Sequence, residues 1–149
     1  MEKKKKILIL GAGVYQVPLI RRARERDLYT VVASTPGNYP GFQLADQVYH
    51  TNTTDQEAIL KIARAEKIDA ITTTGTDVAV VSIGHVCKEM HLPGIGAEAA
   101  RILTDKALMK EAFAGYIKEV QEGTFPAAEH TYAISDEVIA EVKATLAAD

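Results

Sequence analysis

Ile7, Leu8, Ile9 and Leu10 follow one another with no polar interruption, run into Gly11-Ala12-Gly13, and give way at once to helical spacing. An unbroken apolar run of this length is the pattern of a parallel strand covered on both faces. Val17, Ile20, Ala23 and Leu28 then fall on one helix face, with arginines and Glu25 opposite. Pro18 is compatible with the first helical turn, where its missing N–H has no intrahelical partner. Residues 29–33 predict a second strand, the PGNYPG stretch at 36–41 an irregular loop, and residues 47–50 a short third strand at a sheet edge. Thr54-Asp55-Gln56-Glu57 reads as a capping box, Thr54 covering the first free N–H groups and Glu57 reaching back. Ile59, Leu60, Ile62 and Ala63 form the inner face of the helix it starts.

Residues 68–73 predict a fourth strand, and TTTGTD at 72–77 leads into a helix over 78–90. His91-Leu92-Pro93-Gly94 stops that helix and a brief fifth strand is expected near Ile95. A short helix spans 97–103, and Thr104-Asp105 caps the next, whose face is Leu108, Ala112, Phe113, Tyr116, Ile117 and Val120, with Gly123 as its end. Residues 127–134 then look like a strand, and Ser135 starts a helix with Val138, Ile139, Val142 and Leu146 inward. Strands alternating with helices on short connections imply an α/β fold, an open doubly wound parallel sheet of Rossmann-like kind joined by right-handed crossovers. The expected strand order is 3-2-1-4-5, optionally extended by a sixth strand from the tail beside the fifth. The whole of 1–149 then forms one domain, 114–149 being its closing helix, strand and helix.

Composition narrows the function classes. A chain of 149 residues is sized for one domain that needs no disulfide or metal to fold. A net charge of -3 leaves no broad basic surface, so nucleic acid is not an expected partner, and the lysines at 3–6 serve to solubilise the N-terminus. That lysine-rich start ahead of an apolar run imitates a signal peptide, but two glycines cut the run, no small-residue cleavage site follows, and Arg21, Arg22 and Arg24 arrive too soon. No segment approaches the roughly 20 apolar residues that span a bilayer, so the expected location is cytoplasmic, with no membrane partner. The single Cys87 lies on an apolar helix face with Ile83, Val86 and Met90, as a small core residue. The histidines at 50, 85, 91 and 130 show no metal-ligand spacing with each other or with Cys87, and no nucleophile-base pair or Walker A sequence is present. No catalytic residue and no metal site are expected.

In an open sheet of this order, ligands lie beyond the carboxyl ends of the strands where the chain reverses direction, here between strands 1 and 4. Two loops meet there. The candidate ligand-binding residues are Gly11, Gly13, Tyr15 and Gln16 from one, and Thr74, Gly75, Thr76 and Asp77 from the other. Backbone N–H groups, threonine hydroxyls and one carboxylate suit a small polar molecule bearing a carboxylate or phosphate, and residues 34–39 are placed to close over it. The structural alternatives are that the glycines only permit a tight turn and that Asp77 only caps its helix. A dinucleotide fingerprint would have a third glycine where this chain has Gln16, and an acid after strand 2 where it has Ala33-Ser34-Thr35. A nucleotide-cofactor oxidoreductase is therefore only a second alternative.

Four stretches, ILILGAGVYQVPLI, NYPGFQLADQVYHTNTTD, KIDAITTTGTDVAV and LPGIGAEAARILTDKALMKEAF, resemble in that order the N-terminal, pre-ATP-grasp domain of ATP-grasp ligases of the carbamoyl-phosphate synthase-like and carboxylate-amine ligase kind. The resemblance covers about 5–113. It implies a Rossmann-like domain that supplies part of the acceptor-substrate site, through Gly11, Gly13, Tyr15, Gln16, Thr76 and Asp77, with Thr104-Asp105-Lys106 leading toward the ATP-binding lobes. Only 36 residues follow Phe113, too few for those lobes. The expectation is thus an isolated substrate-binding domain without catalysis of its own. No cofactor is expected in this chain; ATP and magnesium belong to the parent family, and the expected partners are a small polar metabolite and either further copies of the chain or separate ATP-grasp lobes. The segment YIKEVQEGTFPAAEHTYAI with its closing helix resembles the end of periplasmic binding proteins of the basic-membrane-protein type, which implies, as an alternative, an engineered or recombined chimera with no retained activity.

Overall fold

The computed structural model describes residues 4–131 and 134–146. Its chain divides into two compact units, 1–109 and 110–149.

The first unit is built on a four-stranded parallel sheet. Strand β1 (Lys6–Leu10) pairs with β2 (Tyr29–Ser34) on one side and β4 (Ala70–Thr72) on the other, and β3 (Gln47–His50) pairs with β2, giving the order β3-β2-β1-β4. Those four strands take the order expected of them. The apolar run of β1 is continuous because both faces are covered. Leu8 and Leu10 join Val31 and Ala33 on one face, under helices α2 (Gln56–Glu66) and α3 (Val80–Met90). Ile9 and Val32 join Ile20 and Ala23 of α1 (Val17–Glu25) on the other, beside a 3₁₀ turn at Pro40–Leu44. Leu8, Ile9 and Leu10 are fully buried, each stabilising the fold by about 1.5–3 kcal/mol relative to exposure. Cys87 lies in the first of these two clusters as a free, buried thiol. Helix α4 (Ala97–Thr104) comes so close to α3 at Gly84 that a Cβ there would stand 2.6 Å from the Cβ of Ala100.

Polar pairs secure the sheet where packing cannot. Asp46, just ahead of β3, accepts hydrogen bonds at 2.8 Å from both the N–H and the hydroxyl of the buried Thr30. Burial alone would raise the Asp46 pKa, but the hydrogen bonds from Thr30 and the nearby charges of Arg24 and Lys4 outweigh it and hold the carboxyl below its usual range. Glu66, at the end of α2, accepts from Lys6 Nζ and from the Tyr49 hydroxyl, both at 2.6 Å, tying the helix to β1 and β3. The Lys6 bond first, then that from Tyr49, lowers the Glu66 pKa.

Several expectations are corrected. The N-cap of α2 is Asp55, whose Oδ1 accepts from Ala58 N at 3.0 Å; Thr54 instead donates to Asn52, and Glu57 approaches His85 at 3.1 Å rather than reaching back. No fifth strand forms near Ile95. His91 adopts a left-handed conformation at φ 54° to end α3, and Ile95, left between that turn and α4, packs on the core without pairing.

The second unit begins within α5 (Lys106–Gln121), which Asp105 caps by accepting from Ala107 N and Leu108 N at 2.9 and 3.2 Å. The helix ends at Gly123 as expected: Thr124 N bonds Glu119 O and Gly123 N bonds Val120 O, with Gly123 at φ 72°. Residues expected as a strand include a 3₁₀ turn at Ala128–His130, where the Phe125 ring meets Tyr116 edge-on and lies tilted against His130, with centroids 5.1 and 4.8 Å away. Of the rest of the expected strand over 127–134, residues 127, 131 and 134 are not in a strand, and 132 and 133 lie outside the described residues. Helix α6 (Asp136–Leu146) forms where expected, but Val138, Ile139, Val142 and Leu146 are exposed rather than inward, as are Phe113, Tyr116, Ile117 and Val120 of α5. Among the described residues no helix is long and apolar enough to cross a membrane.

Both depressed carboxylates have folded pKa values below their unfolded ones. Their contribution is therefore present above the unfolded values, near pH 4, and is lost as the pH falls through the folded values. Glu66→Gln and Asp46→Asn should each flatten the acid side of a stability-pH curve measured by urea unfolding, while lowering stability at pH 7 by about 1–3 kcal/mol.

Candidate functional site

A cleft of about 280 Å³ opens at the carboxyl ends of the strands. It is lined by Leu10 at the end of β1, by the loop that follows, by Ser34 and Thr35 at the end of β2, by Tyr39, by Thr53 beyond β3, and by Gly75 and Thr76 beyond β4. β2 and β3 stand on one side of β1 and β4 on the other, so the chain changes direction across the sheet at this point.

The glycine loop is held from three directions. Gly11 takes φ 96°, a conformation that glycine adopts at little cost, and donates its N–H to Ala33 O at 2.8 Å. Gly41 of the 3₁₀ turn backs the loop, its N–H donating to Ala12 O at 2.8 Å. From the far side, the Thr73 hydroxyl donates to Leu10 O at 2.6 Å.

Gln16 does the rest. Its side chain is buried, with the residue only 6% exposed; Oε1 accepts from Gly13 N at 3.0 Å and Nε2 donates to the carbonyl of Thr74. The carboxamide thereby joins the loop after β1 to the loop after β4. It also explains the glycine at 11: a Cβ there would meet Gln16 Cδ at 2.9 Å. Tyr15 packs on Gly75 so closely that a Cβ on Gly75 would lie 2.6 Å from the tyrosine Cβ. Beyond β3, Ser82 of α3, fully buried, fixes the loop by donating to Thr53 O at 2.7 Å.

The structure brings Gly11, Gly13, Tyr15, Gln16, Gly75 and Thr76 together at the cleft. Thr74 joins through its carbonyl rather than as lining, and Asp77 is exposed, outside the lining, with its carbonyl accepting from Val80 N at 3.0 Å. Ser34, Thr35 and Tyr39, expected as a closing loop, line the cleft directly. Thr53 was not anticipated, although its place just beyond a parallel strand was the available signal. No Lys, Arg, His, Asp or Glu lines the cleft among the described residues, so its polar surface is made of hydroxyls, amides and carbonyls. The residues present do not fit magnesium-bound ATP: the lining has no cation for the phosphates, and the described residues bring together no group of three His, Cys, Asp or Glu side chains for a metal.

No family model matches the sequence. A curated protein, 3-methyl-2-oxobutanoate hydroxymethyltransferase of Clostridium novyi, is 59% identical over 32 residues, which are 22% of this chain and 12% of that enzyme. Among solved structures, phosphoribosylglycinamide synthetase from Anaerococcus prevotii superposes with a TM-score of 0.72 at 31% identity, over 76% of this chain and 29% of its own. N5-carboxyaminoimidazole ribonucleotide synthetase from Thermotoga maritima gives 0.60 at 23% identity, over 72% and 29%, which speaks to the fold alone. The Staphylococcus aureus enzyme of the same kind, solved with ADP, gives 0.62 at 20%, over 77% and 30%. The chain thus spans less than a third of these solved proteins and about an eighth of the curated one. The solved neighbours are ATP-grasp ligases, and about three quarters of this chain has the Rossmann-like fold of their N-terminal domain.

Proposed function

We propose that the cleft holds the acceptor substrate of an ATP-grasp ligase, a small compound bearing a carboxylate or phosphate, and that this chain binds it without performing chemistry alone. The observation that carries the reading is the position of the cleft, at the switch point of the sheet and walled by the loops after β1 and β4. The hydroxyl-bearing Ser34, Thr35, Thr53 and Thr76 among its lining are donors suited to an anionic oxygen. The similarity to phosphoribosylglycinamide synthetase, whose name denotes a phosphoribosyl product, supports a substrate of this class. ATP and magnesium are then held by other lobes, and those lobes or a second copy of the chain are the partners, in the cytoplasm. Calorimetric titration of the full chain with small carboxylates, phosphorylated metabolites and nucleotides tests it. At least one carboxylate or phosphate compound should bind with a Kd of about 1 mM or below, weakened roughly tenfold by Thr76→Val. No heat from any of them up to about 10 mM contradicts the reading.

One observation favours a second reading, a recombined chain joining parts of two proteins: the 59% match over 32 residues is to an enzyme of another kind than the ligases that share the fold. Sequencing the source DNA across codons 100–125 tests it. A break in the coding frame or in genomic continuity is the expected result, and an unbroken native gene sets the reading aside.

A further inference from the structure

Exposed backbone N–H groups are what make a glycine loop a cradle for phosphate. In this protein the two glycine N–H groups are already in use. Gly11 donates to Ala33 O at 2.8 Å, and Gly13 donates to Gln16 Oε1 at 3.0 Å. The same carboxamide donates through one Nε2 N–H to Thr74 O, so both of its ends are engaged. A phosphate arriving at Gly13 would have to expel a buried side chain and strand the Thr74 carbonyl. Until it did so, it would face the lone pairs of Gln16 Oε1. No cation lines the cleft to offset either cost.

We propose that Gln16 is a specificity-determining residue that closes the Gly13 amide of the glycine loop to phosphate and pyrophosphate groups. It leaves the hydroxyl-bearing lining, Ser34, Thr35 and Thr53 on one side of β1 and Thr76 on the other, as the place where a ligand's polar group is received. This rests on the reading of the cleft as a substrate site, and it names which part of that site is open. It also gives a physical account of position 16 in the sequence. A dinucleotide-binding loop has glycine there, which leaves room for helix and strand to approach and keeps the cradle clear. Here the carboxamide occupies that room, and a Cβ at Gly11 would strike it at 2.9 Å. The loop keeps its shape while the N–H groups of both its glycines are spent internally.

The test follows the backbone amide of Gly13 and the side-chain amide of Gln16 by two-dimensional ¹H–¹⁵N NMR of the full chain, titrated with inorganic pyrophosphate and with NAD. In the unaltered protein both resonances should stay in place up to about 10 mM pyrophosphate. Gln16→Gly, which restores the Gly-x-Gly-x-x-Gly spacing, should bind pyrophosphate at least about tenfold more tightly, with a saturable shift at Gly13. Gln16→Ala empties the same space with less backbone freedom and should show the same direction of change, which covers the case in which the glycine variant does not fold. A saturable Gly13 shift in the unaltered protein overturns the proposal, as does a folded variant that binds pyrophosphate no better than the parent. Should both variants fail to fold, the titration of the unaltered protein decides alone. The two proposals fail separately: a small carboxylate that moves Thr76 but not Gly13 supports both, one that displaces Gln16 overturns only this one, and absence of any ligand alongside a gain in Gln16→Gly overturns only the substrate reading.

Discussion

The buried carboxamide of Gln16 is the point at which the two halves of the sheet are fastened beyond their last backbone pairing. Register between β1 and β4 runs only from Ile7 opposite Ala70 to Ile9 opposite Thr72, so past that level no ladder holds the two loops together. A side chain that accepts from one loop and donates to the other replaces the missing ladder, and its burial makes both bonds count. An unpaired polar group at that depth would cost about 1–3 kcal/mol, so breaking either bond is penalised twice, once for the carboxamide and once for the partner it leaves. The Thr73 hydroxyl bonded to Leu10 O and the contact of Tyr15 with Gly75 brace the same junction from either side. The cleft has a fixed floor for this reason, and the exposed Tyr15 is part of its lining.

The rest of the first unit serves that junction. Apolar residues of β1 and β2 alternate between two helical layers, which fixes the carboxyl ends of the strands, and the Asp46–Thr30 and Lys6–Glu66–Tyr49 groups hold the outer strand and the α2 end to the sheet. All of these groups lie away from the cleft lining, which carries no ionised side chain. The charge that secures the scaffold and the neutral surface that would meet a ligand are thus kept apart. Such a surface discriminates by hydrogen-bond geometry rather than by long-range attraction.

Much of this was readable from the sequence because the first unit follows one rule at a time. The unbroken Ile7 to Leu10 run, the spacing of Ile20 and Ala23, and the turn chemistry of 36–41 each have one reading, and together they placed four strands in order and the cleft at their ends. Gln16 was visible as a missing glycine and as a candidate ligand residue, but not as a brace. That its side chain would turn inward and bridge to Thr74, 58 residues away, depends on tertiary placement that no local pattern encodes. Asp55 displaced Thr54 as the cap because both are adjacent acceptors and the loop geometry chooses between them. Ile95 has the hydrophobicity of a strand residue but stands between a left-handed helix end and the next helix, too short a span to pair. The helical periodicity of α5 and α6 predicted the helices correctly, but periodicity marks an apolar face without saying what covers it.

The form of the cleft depends most directly on Gln16 spanning the two loops in solution. The side-chain NH₂ protons of Gln16 report this without any ligand or variant. If the bridge is present, they should exchange slowly with water and show nuclear Overhauser contacts to the α protons of Thr74 and Gly75, since Nε2 is bonded to the Thr74 carbonyl. Fast exchange at the rate of a free carboxamide, with no contact to residues 74 or 75, would contradict it.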